Sequence, residues 1–209
     1  MRRSTVSTVL VAGLLVAGCG TEPGDTTSTS TPPATVRPAT GSASTPTGTA
    51  GPFNPTDIAW LQLTVAMAER LLPVLDSVPA RTKDPAWRRL ADQIAATRRA
   101  DLARAHRLLA EAAAPTTNPH EGHDMPGMVT AEQLTALRAA TGEPFHRLLA
   151  EHLRAHLAQS VRVATAARRN GGQPATVALA ADVVRADSAD LERLDDLVAT
   201  RTSDDAQPA

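Results

Sequence analysis

His152 and His156 stand four residues apart, a spacing that puts both rings on one face of a helix, where one metal ion can take two nitrogens. Upstream, His120, His123, Met125 and Met128 crowd into a single short stretch. Imidazole mixed with thioether suits copper, in either oxidation state, better than magnesium or calcium. Both sets also have a plainer reading. The histidine pair fits the edge of a core, and the loop residues fit a solvated connection whose Gly122, Pro126 and Gly127 leave it loose in isolation. No Glu-x-x-His pairs recur along the chain, so a di-iron centre lacks its carboxylates.

These residues must be positioned by helices. Alanine, leucine and arginine dominate beyond Phe53, aromatics make up 2% of the chain, and no alternating apolar run appears, which argues against strands. The first helix opens at Asn54-Pro55 with Asp57 in the capping-box place, and Ile58, Leu61, Val65, Ala68, Leu72 and Leu75 form a stripe that runs past Pro73 to about Val78. Pro73 is expected to kink this helix without ending it. The second starts at Asp84-Pro85 and runs to about Ala113. After the loop, Thr130 with Gln133 caps a short helix; the third long helix spans about Glu143 to Arg169 and stops at Asn170-Gly171-Gly172. The fourth opens at Gln173-Pro174 and ends near Thr200, with residues 202–209 read as a frayed polar tail.

The chain repeats itself at an offset of 89 residues, which lays Leu90-Ala91 on Leu179-Ala180 and Ala100-Asp101-Leu102 on Ala189-Asp190-Leu191. Two helical hairpins, neither able to bury its own stripe, are expected to pack as an antiparallel four-helix bundle with an approximate internal twofold. The same offset sets Arg98 on Asp187, each within the apolar stripe of its helix. An inward-facing ion pair follows from that symmetry; the alternative is an Arg98 that snorkels outward and an Asp187 left half exposed.

The first fifty residues carry a different message. Met1-Arg2-Arg3, an apolar run from about Val6 to Val16, and Val16-Ala17-Gly18-Cys19 read as a secretory signal ending in a lipobox. The run is too short for a permanent span of roughly 30 Å of hydrocarbon. Residues 1–18 are therefore expected to be removed and Cys19 lipidated, anchoring the protein to the outer face of the cytoplasmic membrane by either export route. Residues 20–52 are almost wholly Thr, Ser, Pro, Gly and Ala and read as a semi-extended linker, which leaves 53–201 for the helical domain. Cys19 is the only cysteine, so no internal disulfide is available.

His123-Asp124-Met125-Pro126-Gly127-Met128 between two helical hairpins resembles the domain of unknown function 305 family. Phe53-Asn54, Asp84-Pro85, the Phe145 to Glu151 segment and the Ala-Asp-Leu steps extend the likeness over roughly 53–198. The resemblance implies a ferritin-like four-helix bundle, exported and in some members tied to copper handling. This chain departs from the family pattern at the implied ligands. Where the family has His-His pairs it carries Met67-Ala68 and His156-Leu157, and where paired glutamines are expected it carries Arg98-Arg99 and Asp187-Ser188.

Catalytic classes find little footing. The sequence has no Gly-rich phosphate loop, no Gly-x-Ser-x-Gly elbow and no thiol once Cys19 is acylated. A formal net charge of −1 on an exported chain argues against nucleic acid. Two readings stand. One is a non-catalytic envelope lipoprotein acting as a scaffold or interaction module, with the membrane as its partner through Cys19. The other is a copper-binding or copper-buffering lipoprotein that uses the His/Met loop.

Overall fold

The computed structural model describes residues 53–205, with side chains to Arg201; the signal, lipobox and linker readings lie outside the described residues. The described chain is all helix and connection: α1 Pro55–Arg81, α2 Pro85–Glu111, α3 Ala131–Ala139, α4 Gly142–Asn170 and α5 Pro174–Asp205. The last helix runs five residues past its expected end, through Asp205.

Local chemistry accounts for the starts. Asn54 caps α1 in a full capping box, its side chain accepting from the Asp57 N–H at 2.9 Å while Asp57 accepts from the Asn54 N–H at 2.8 Å. Asp84 caps α2 ahead of Pro85, and Thr130 with Gln133 closes a second capping box on α3. Both Pro73 and Pro79 lie inside α1, and the helix continues past Pro73 because Leu71 before it and Val74, Leu75 and Val78 after it are buried. Apolar burial outweighs the hydrogen bonds that each proline forgoes.

The long helices close a ring of contacts, α1 against α2 and α4, and α5 against α2 and α4. Their directions follow from cross-helix pairs. Arg104 reaches Asp182 and Gln93 reaches Asp190, so α2 and α5 run antiparallel; Asn54 bonds Asn170 and His146 bonds Thr82, so α1 and α4 do as well. Asp57, fully buried, also accepts from the Gly172 and Gln173 N–H groups at 3.1 and 3.0 Å, tying the start of α1 to the α4–α5 turn. By length and composition α1 could cross a membrane. Here it is a core helix, and Leu61, Leu71, Val74 and Val78 are fully buried.

Besides a smaller one around Met67 and Met128, two larger apolar clusters fill the interior of the described residues. One joins Leu71, Ile94, Phe145, Leu149, Leu153 and Leu194, and the other joins Trp60, Leu61, Ala105, Ala164, Leu179 and Val183. Arg98, Asp101, His156 and Asp187 are buried along the same helices.

Candidate functional site

Arg98 and Asp187 face one another inside the helices, with 2.6 Å between Nη2 and Oδ1 and relative exposures of 3% and 0%. They are 89 positions apart, the spacing of the repeat. Asp101, one helical turn beyond Arg98, brings its Oδ2 2.9 Å from the same nitrogen as an ion pair, although that oxygen accepts no hydrogen bond. One buried guanidinium therefore serves two buried carboxylates. Burial pushes the Asp187 carboxyl up to about 6, although Arg98 and a hydrogen bond from Ser160 pull the other way. Burial also raises Asp101, against the pull of Arg98.

His156 is buried on α4 with 1% exposure. Burial first, and then the charge of Arg98, lower its pKa to about 3, so the ring is neutral at ordinary pH. Its Nδ1 lies 3.0 Å from the Gly127 carbonyl, and since a carbonyl only accepts, Nδ1 carries the proton and Nε2 keeps its lone pair. The loop thus crosses over α4 at His156. Gly127 is what permits it: its φ is +82°, and a Cβ there would stand 2.6 Å from Gln159 Cβ.

Arg70 on α1 pins the other side of the loop, donating to Asp124 at 2.9 Å, the Val129 carbonyl at 3.2 Å and the His123 carbonyl at 3.3 Å. In the fold this segment is a strap, held from α1 by Arg70 and from α4 by His156.

The strap divides the sequence-predicted ligands. Met128 is buried against Met67 and Ala66 of α1, with Met125 packed alongside, and Met125, Met128 and His152 line one cleft of about 280 Å³. His152 is itself buried, which lowers its pKa despite the nearby Glu151. His120 instead lines a second cleft with Glu69, His106 and Glu121, and His123 offers its carbonyl to Arg70. His106 and the packing role of Met67 escaped sequence reasoning. Met67 was visible only as a departure from a family pattern, and nothing local marks His106. Among the described residues no group of three or more His, Cys, Asp or Glu side chains stands where it could hold a metal ion.

Antiparallel helical hairpins joined by a strap, with buried charge between the helices, define an all-α class of protein. The family model for the domain of unknown function DUF305 matches residues 57–198, and the chain belongs to that family. Among solved structures, a DUF305 protein of Streptomyces coelicolor is similar at 22% identity and a TM-score of 0.65, covering 70% of this chain and 94% of its own. A DUF305 fragment of Deinococcus radiodurans is similar at 16% identity and a TM-score of 0.65, covering 72% and 99%. No curated protein matches the chain.

Proposed function

We propose that this protein is a non-catalytic module of the cell envelope, held to the membrane through lipid on Cys19, that acts through its surface as a scaffold or interaction domain. The observation that carries this reading is the Arg98–Asp187–Asp101 cluster. A metal ion between the helices would have to compete with a guanidinium already fixed there, and the charge of Arg98 also disfavours a cation at His156. Export is supported by the signal sequence, and the anchor by a single cysteine at the lipobox. Labelling with a fatty-acid analogue tests the anchor: label lost in Cys19→Ala supports it, and equal label on both chains overturns it.

A second reading has its own observation. Met125 and Met128 of the strap pack with Met67 of α1, a thioether set that suits copper(I). One experiment separates the two. Untagged protein is loaded with copper(I), desalted and analysed for metal. Substoichiometric copper supports the surface module. One copper per chain, lost in the Met67→Leu, Met125→Leu, Met128→Leu variant at unchanged helicity, supports the thioether site.

A further inference from the structure

The exposed side of α4 is ordered by charge. Glu143, Arg147, Glu151 and Arg154 follow one another at steps of three and four, alternating in sign, and are all exposed. Beside them Ala150, Ala155 and Ala158 leave the helix surface low, and together with Trp87 of α2 and Val198 and Arg201 of α5 they line a groove of about 590 Å³. The Trp87 ring is stacked on His146, with centroids 5.0 Å apart, and its buried Nε1–H has no hydrogen-bond partner.

Neither Arg147 nor Glu151 has an ion-pair partner among the described residues. Arg154 pairs with Asp195 across an exposed contact, with side-chain exposures of 45% and 59%. Glu143 has only a 3.6 Å approach to His146.

An alternating Glu-Arg-Glu-Arg row is complementary to itself when reversed. A twofold axis crossing α4 at the level of Leu149 sets Arg147 of one copy opposite Glu151 of the other, and Glu143 within about a residue of Arg154. Each pairing occurs twice by symmetry, as an isologous contact requires. The alanines let the two helices approach closely, and the groove beside them accepts the other copy's side chains. We infer that this face is the interface of an antiparallel homodimer, built on α4 against α4 of a second copy. A protein tethered to one membrane leaflet meets its own copies at raised local concentration, which favours a modest contact of this kind. The inference deepens the surface-module reading by naming the partner.

Charge exchange tests it on the full-length lipoprotein. Two differently tagged copies are co-expressed, extracted in mild detergent and purified through one tag, with sedimentation velocity as a second measure. Wild-type copies are expected to co-purify. Arg147→Glu or Glu151→Arg, each facing like charge with like across the axis, should weaken association by about tenfold or more. The double variant Arg147→Glu/Glu151→Arg restores opposite charge on both sides and should recover association. All four chains are compared by circular dichroism, and these exposed positions should leave helicity unchanged. A monomeric wild type overturns the dimer, as do single variants that associate like wild type or a double variant that fails to recover. A monomer would not touch the surface-module reading, which stands or falls on the metal analysis.

Discussion

Gly127 and Gly122 both adopt positive φ, +82° and +76°, yet their surroundings differ. At Gly122 a Cβ would meet nothing within 4 Å, whereas at Gly127 it would meet Gln159 Cβ and, at 3.1 Å, the Ala155 carbonyl. Those are fixed atoms near or on the α4 backbone, not the tips of flexible side chains. Gly122→Ala therefore bears only the conformational cost, about 1 kcal/mol. Gly127→Ala adds a steric one, and the strap must lift, breaking the His156 bond; a loss of about 1 to 3 kcal/mol beyond the Gly122 variant is expected. Urea unfolding of the two variants against wild type measures the difference. Equal losses would mean that Gly127 is not the close approach on which the strap depends.

Between the two ends of the strap the elements show what sequence can and cannot reveal. Capping residues and apolar stripes act within a turn or two, so Asn54 with Asp57, Asp84-Pro85, and Thr130 with Gln133 marked their helices from sequence alone. The repeat offset likewise set Arg98 and Asp187 on equivalent turns, because two similar hairpins packed antiparallel bring equivalent positions together. The path of the strap was not legible. It depends on Arg70 meeting residues more than fifty positions away, and an arginine on a helix reads as a solvated side chain unless the fold is known. The Met67 contact with Met128 was hidden in the same way. The α4 groove was hidden for the opposite reason, since an exposed row of alternating charge reads as ordinary surface. If Arg70 holds the strap, Arg70→Ala should speed amide exchange from about His120 to Thr130 while the exchange of buried α1 and α4 amides stays near wild type. Global stability should fall by no more than about 1 kcal/mol, because the pair with Asp124 is largely exposed, at 28% and 62%. Unchanged exchange in the strap would show that the His156–Gly127 bond and Met128 burial suffice without Arg70.

At the scale of the whole molecule, the buried charges set up two opposed responses to pH. The folded Asp187 holds its proton up to about pH 6, against roughly 3.9 for an unfolded aspartate. Between those values the folded state binds more protons than the unfolded, so stability rises as pH falls from about 6 to 4, by about 3 kcal/mol in all. Asp101, also raised, acts in the same sense. His156 works the other way: its folded pKa near 3 lies below the unfolded value of about 6.5, so the unfolded state takes up the proton first and stability is lost as pH falls from about 6.5 towards 3, by about 5 kcal/mol. The windows overlap, and Arg98 touches both. It deepens the depression at His156 and restrains the elevation at Asp187. Wild-type stability should therefore change less between pH 6.5 and 4.5 than either contribution alone would dictate. Variants should uncover the hidden slopes. Asp187→Asn removes the acid-stabilising contribution, so its stability should fall steadily from pH 6.5 downward. His156→Gln keeps a donor for the Gly127 carbonyl but cannot titrate, so its stability, lower at pH 7, should rise between pH 6 and 4.5. Urea unfolding of the three proteins across that range measures the slopes directly. Parallel curves would overturn the assignment, because they would place the protons that govern stability on groups other than these two.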